Sequence, residues 1–173
     1  MEDKELIRRI QNGQKEYLND IAGKYYDDIY YFCRYQTGNS EDAYDLAQET
    51  FLRFIRYVEK YRYQNLKGYL LTIAMNLCRE YVRENSQMTV EEDLQTPAVS
   101  EAVINTENGI LLSGALKKLT DAQREAVLLH HFYGYKDREI ARMTGAACGT
   151  VKSRIRQGLE KLNRLLDKSD FYK

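Results

Sequence analysis

Lys152, Ser153, Arg156 and Gln157 have the residue types and the spacing to hold nucleic acid. On a helix beginning near Cys148, at about 100° per residue, they fall together with Gly149 on one side. Val151, Ile155, Gly158, Leu162 and Leu165 fall on the other side. One face is therefore expected to be buried, while the other offers cations and hydrogen-bonding groups. Upstream, Lys136 to about Met143 reads as a shorter helix, and Thr144-Gly145-Ala146-Ala147 as a tight turn. Gly145 can take the left-handed conformation there at little cost. A helix-turn-helix of this kind presents its second helix to the major groove, the N-terminal half at the base edges. An ordinary helical hairpin with a solvated charged face has the same pattern, so this stretch alone leaves both readings open.

A second group lies in SEDAYDLAQETFLRFIRYVEKY. Helical spacing gathers Ala47, Phe51, Phe54 and Val58 on a side to be buried. Asp45, Gln48, Glu49 and Leu52 gather opposite them. Two acids, an amide and an outward Leu in one compact patch suit a basic partner helix. The following Tyr61-Arg62-Tyr63-Gln64-Asn65-Leu66-Lys67-Gly68 breaks the periodicity and reads as a loop. Aromatic faces stack on unpaired bases, and basic groups hold a strand. A plain connecting loop is the competing reading.

The elements that must position these groups are helical. Among 173 residues there is one Pro, and Leu, Glu, Lys, Arg and Tyr are abundant, which favours an all-α fold. Helices are expected over roughly 3–11 and 14–36, parted by Asn12-Gly13. Thr37-Gly38-Asn39 should close the second, with Ser40 capping the next. Tyr69 to about Arg83 should form another, its inner side Leu70, Ile73, Ala74, Leu77 and Tyr81, its polar side Asn76, Arg79 and Arg83. Residues 86–107 have no helical period. They hold Pro97 and five acids (Glu91, Glu92, Asp93, Glu101, Glu107) with no base. They read as a flexible acidic linker. Beyond it, one helix runs to about Leu119. Thr120-Asp121-Ala122-Gln123 fits a capping box for a helix through Phe132. The expected domains are thus 1–85 and 108–173, with 86–107 between them.

Formal net charge is zero, but it is unevenly spread. Residues 1–85 carry 13 bases against 14 acids, whereas residues 108–173 carry 13 bases against 7 acids. A basic C-terminal module is the electrostatic footprint of a duplex binder. Cys33, Cys78 and Cys148 are odd in number and widely spaced, which suggests reduced thiols in a cytoplasmic protein. No signal peptide or membrane-length apolar run is expected. His130 and His131 would point about 100° apart on a helix and do not readily grip one metal. No Gly-rich phosphate loop, serine elbow or plausible triad occurs, so neither a cofactor nor catalysis is expected.

Two distant stretches now agree. DAYDLAQETFLRFIR, followed by YLLTIAMNLCREYVRE, resembles region 2 of bacterial sigma factors. LTDAQREAVLLHHFYGYKDREIARMTGAACGTVKSRI resembles region 4. With these two regions joined by a short linker, the chain is similar to extracytoplasmic-function (ECF) members of the sigma-70 family. The resemblance implies partners: core RNA polymerase (the β′ clamp helices and the β flap) and promoter DNA, and it makes an anti-sigma factor a plausible third. It implies that Asp45, Gln48, Glu49 and Leu52 dock on the clamp helices. It implies that Tyr61, Arg62, Tyr63, Asn65 and Lys67, with Asn76, hold an extruded base of the −10 element. Thr150, Lys152, Ser153, Arg156 and Gln157 would face the −35 element, and the acidic linker would thread into the polymerase channels.

Some residues depart from the family pattern. Tyr69 stands where Trp is frequent, and Ala147 where a capping Ser is frequent. Gln157 replaces a frequent Arg. Gly158 replaces a frequent Ala, at a helix-propensity cost of about 1 kcal/mol unless close packing offsets it. Two other functions compete with the sigma reading: a stand-alone helix-turn-helix regulator that ignores polymerase, and an adaptor whose basic domain merely localises it.

Overall fold

The structure is a computed structural model that describes residues 1–62, 64–85 and 107–166. The chain forms two compact units, Met1–Thr89 and Val90–Lys173. All regular structure among the described residues is helical.

In the first unit, α1 (Asp3–Gln11) buries Leu6, Ile7 and Ile10. Asp3 fastens its start to the next helix, accepting hydrogen bonds from Lys24 Nζ at 2.6 Å and from Tyr25 Oη. Gly13, at φ +94°, breaks the chain. The second helix does not start at 14, as its spacing predicts. A 3₁₀ turn over Lys15–Tyr17 precedes α2 (Leu18–Thr37). Gly38 ends α2 in the left-handed conformation, its N–H donating to Arg34 O. Asn39 then caps α3 (Ser40–Tyr57) by accepting from the Asp42 N–H at 3.0 Å. Ser40 was the expected cap. It is instead the first helical residue, because the longer-reaching amide one position earlier already serves the first turn.

A 3₁₀ turn, Val58–Lys60, follows α3. The next helix, α4 (Leu66–Asn85), begins inside the stretch read as loop. Helices α2, α3 and α4 pack on one another as a three-helix bundle, with α1 against α2 and the Val58–Lys60 turn. Helix α4 lies deeper in this bundle than an amphipathic pattern predicts. Leu71, Met75 and Cys78 are buried beside Leu70, Ala74 and Leu77, whereas Ile73 and Tyr81 are only half-buried. Tyr81 Oη instead reaches Asp42 Oδ2 at 2.5 Å.

In the second unit, α5 (Glu107–Lys117) is followed by α6 (Asp121–Val127). The capping box forms as its sequence predicts: Gln123 N–H donates to Thr120 Oγ1, and Thr120 N–H to Gln123 Oε1. Leu128–Phe132 continue α6 as a π-helical turn. The buried Arg124 donates to the carbonyls of Leu116 and Leu119 and pairs with Asp121. One guanidinium thus adds a second donor to the Leu116 carbonyl, which already accepts the Leu119 N–H, and reaches the Leu119 carbonyl just past the end of α5. Helix α7 (Asp137–Thr144), Gly145 at φ +73° and α8 (Cys148–Leu165) complete a helix-turn-helix. Helix α8 buries Val151, Ile155, Gly158 and Leu162, as spacing predicts. Leu165, expected with them, is 45% exposed, because it stands in the last turn of α8, at the end of the packed surface.

Candidate functional surfaces

Helix α3 turns Ala43, Ala47, Thr50, Phe51 and Phe54 inward. The opposite side is thereby left to solvent. Asp45 and Gln48 are exposed, Glu49 is half-buried, and Leu52 is 55% exposed. The face is larger and more apolar than the four residues picked from sequence. Tyr44 and Ile55 are also exposed, at 49% and 42%. With Gln48 and Leu52 they follow i, i+4, i+8, i+11 spacing, a helical stripe that a search for charge alone passes over. Gln48 Nε2 donates to Tyr44 Oη at 2.7 Å. Arg53 bonds Glu49 at 3.3 Å and Glu80 of α4 at 3.4 Å. Glu49 is therefore held by a cation that is itself anchored on the neighbouring helix.

The loop after α3 departs in part from its expected use. Tyr61 is 7% exposed, its ring 4.7 Å from that of Tyr69 and 6.3 Å from that of Phe54. Its ring faces are core, not a free stacking platform. Tyr61 Oη accepts the Gln64 N–H at 3.4 Å. Asn65 is exposed, but its Oδ1 accepts the Gly68 N–H at 3.0 Å and so caps α4. Lys67, half-buried, pairs with Asp28 at 3.1 Å. Arg62, Gln64 and Asn76 are exposed. Tyr63 lies outside the described residues, as do 86–106 and with them the linker acids Glu91, Glu92, Asp93 and Glu101. Two residues chosen as DNA contacts thus help build the loop. Gln64, absent from that choice, is presented by it. Propensity alone could not show this, because a loop Tyr and a loop Asn are equally suited to touching bases and to packing or capping.

On α8, Thr150, Lys152, Arg156 and Gln157 are exposed and Ser153 is half-buried. Arg154 is half-buried at the edge of this face. Arg156 lies 3.4 Å from Glu160, and both side chains are well exposed. A pair so open to water is weak, so the guanidinium is readily drawn to a phosphate or a base edge. Gln157 Oε1 accepts from Gln123 Nε2 of α6 at 3.3 Å, an exposed contact that links the two helices at this face. Ala147, the residue before α8, makes no side-chain cap, and no acid occupies the first turn. The positive end of the helix is thus unscreened by an acidic side chain, a favourable place for a phosphate. His130 Nδ1 lies 2.9 Å from the carbonyl oxygen of Tyr135, just ahead of α7. The rings of His130 and His131 meet edge to face at 4.8 Å. Burial, with the charge of His130, lowers the pKa of His131.

Family models match both units: sigma-70 region 2 over residues 21–87, and sigma-70 region 4 over residues 110–162. The chain is 29% identical over 171 residues to the ECF RNA polymerase sigma factor BldN of Streptomyces coelicolor, covering 94% of this chain. It spans a little under two thirds of that relative, 65% of its length. It is 33% identical to the ECF RNA polymerase sigma factor EcfG of Rhodopseudomonas palustris, over 75% of this chain and 74% of the relative. In fold it is similar to CnrH, solved with the cytosolic domain of CnrY, at a TM-score of 0.74 and 20% identity, over 95% of this chain and 97% of CnrH.

Proposed function

The chain belongs to the sigma-70 family as an ECF sigma factor, and from that premise we propose that it binds core RNA polymerase and directs it to specific promoters. The observation that carries this reading is the pairing of two unlike faces on separate units. One is the acidic and apolar face of α3, in the unit matched by region 2. The other is the cationic face of α8, in the unit matched by region 4. The first suits a basic helical partner, here the β′ clamp helices. Asp45 and Glu49 supply charge complementarity, and Leu52 supplies apolar area. The second suits duplex −35 DNA through Thr150, Lys152, Ser153, Arg156 and Gln157, beside the β flap. Arg62, Gln64, Lys67 and Asn76 then take up the melted −10 strand. Tyr61 and Asn65 hold the loop in shape.

No chemistry by this chain is required. Unpairing and unstacking a base costs a few kcal/mol. Binding that favours the unpaired strand over the paired one shifts the equilibrium by that difference in affinity. No described helix is long and apolar enough to cross a membrane, and the role places the protein where polymerase is, in the cytoplasm. An anti-sigma factor would act by covering the α3 face, the α8 face or both.

The test is retention of core polymerase on the immobilised chain, followed by transcription from duplex and pre-melted promoter templates. Retention, with promoter-specific transcripts, is the expected outcome. A stand-alone regulator would bind operator DNA tightly and ignore the core enzyme. An adaptor would bind protein and initiate nothing.

A further inference from the structure

Gln11 is the last residue of α1, ahead of the region matched by the sigma-70 region 2 model. Its Nε2 donates to the carbonyl oxygen of Val58 and to that of Tyr61, each at 2.9 Å. A primary amide has two N–H groups, so both are spent on one turn about fifty residues away in sequence. The Val58 carbonyl also accepts the Tyr61 N–H at 3.1 Å, closing the 3₁₀ turn that ends α3. The residues at its two ends, Val58 and Tyr61, are buried at 5% and 7% exposure.

From these contacts we infer that Gln11 is a positioning residue for the loop proposed to take up melted −10 DNA. The inference rests on the reading under Proposed function. The loop departs from Tyr61, whose hydroxyl accepts the Gln64 N–H. It re-enters helix at Asn65, whose side chain and carbonyl accept the Gly68 and Tyr69 N–H groups. The downstream end is thus fixed by a helix cap. At the upstream end, the amide of Gln11 fixes the backbone and the buried ring of Tyr61 fixes the side chain. Arg62 and Gln64 project from the span between these ends, and both are exposed. Gln11 does not serve mainly to attach α1. That helix has its own anchors in buried Leu6, Ile7 and Ile10 and in Asp3, which Lys24 and Tyr25 hold. Losing the amide therefore leaves α1 in place and frees the turn. Capture of an unpaired strand depends on a pre-set loop, because a mobile one loses part of its binding energy to ordering.

The experiment uses the full chain assembled with core polymerase and two promoter templates. One is fully duplex, and the other is unpaired over the −10 element. Gln11→Met keeps the length and apolar stem and removes both donors. Gln11→Glu places a carboxylate against two carbonyl oxygens. Gln11→Met is expected to lower the preference for the unpaired template by about threefold to tenfold, and Gln11→Glu by more. Core affinity and duplex affinity should stay at wild-type values, while the unfolding midpoint falls by no more than two lost hydrogen bonds account for. A wild-type template preference in both variants would overturn the assignment. So would a parallel loss of core binding and unfolding midpoint, which would make Gln11 a structural staple. If the wild-type chain itself shows no preference for the unpaired template, the −10 reading fails, and this inference fails with it.

Discussion

Gly158 of α8 faces Val127 of α6 so closely that a β-carbon built on the glycine would stand 2.7 Å from Val127 Cγ2. The glycine that looked costly in a helix is what lets α8 approach α6, the helix whose own Gln123 reaches Gln157 on the DNA face. Gly158→Ala gains about 1 kcal/mol of helix propensity and forces an overlap that costs about 1–3 kcal/mol. We expect a net loss of stability in the second unit, read by urea unfolding. Val127→Ala removes the methyl in the way, so Gly158→Ala should cost less in that background. Equal costs in the two backgrounds would mean that the contact does not limit α8.

Tyr26 offers a gain instead. Its ring stacks with those of Tyr30 and Phe51, at 6.3 and 6.1 Å, and its buried hydroxyl has no hydrogen-bond partner among the described residues. Burial pushes its pKa, like that of Tyr25, up to about 12. An acid raised in the folded state keeps its proton longer folded than unfolded. Its contribution is full below the unfolded value of about 10 and is lost as pH rises toward 12. Tyr26→Phe removes an unpaired polar atom and should hold or raise stability at pH 7, by up to about 1 kcal/mol. It should also flatten the alkaline loss between pH 10 and 12 in thermal melts. A clear drop at pH 7 would show that the hydroxyl has a partner.

Much of this was legible in the sequence, and the exceptions share a cause. The helix-turn-helix, the Thr120 capping box and the inward side of α3 follow from local chemistry: a left-handed Gly, a reciprocal cap and 3.6-residue spacing. The depth of α4 does not. Leu71, Met75 and Cys78 are buried because helices pack on that side as well, a tertiary fact. Tyr61 and Asn65 are suited to touching DNA and equally suited to building the loop, and only their neighbours decide between the two. Ile55 and Tyr44 were readable from spacing but lay outside a patch defined by its charges.

The α3 face should tolerate substitution as a fold and not as a docking surface. Leu52 is 55% exposed, so Leu52→Ala leaves little cavity. Its effect on core-polymerase affinity should be about tenfold, as for an interface residue worth over 1 kcal/mol. Glu49→Lys reverses a charge and also breaks the contact with Arg53, so it should weaken association further and more steeply at low salt. Ile55→Ala should behave like Leu52→Ala. Circular dichroism tests whether the fold survives, and competition for core polymerase reads the affinity. Wild-type affinity in all three variants would remove this face from the account.

Arg156 and Lys152 divide the work on α8. They lie one turn apart in the middle of the exposed face, whereas Arg154 is half-buried at its edge. Among the described residues Arg156 is held only by an open pair with Glu160 at 3.4 Å, so DNA has little to displace. A guanidinium can donate two hydrogen bonds to a guanine, worth about 1–3 kcal/mol of discrimination. A phosphate contact weakens all sequences alike and reduces the salt slope by about one. Arg156→Ala should therefore flatten the preference between a promoter and a mismatched −35 duplex, while Arg154→Ala should spare it. Gln157, steadied by Gln123, should lose part of that preference when Gln123→Ala removes its support. The measurement is titration of each holoenzyme against both duplexes at several salt concentrations. An unchanged promoter-to-mismatch ratio in Arg156→Ala, with a slope reduced by about one, would move Arg156 from the bases to the backbone.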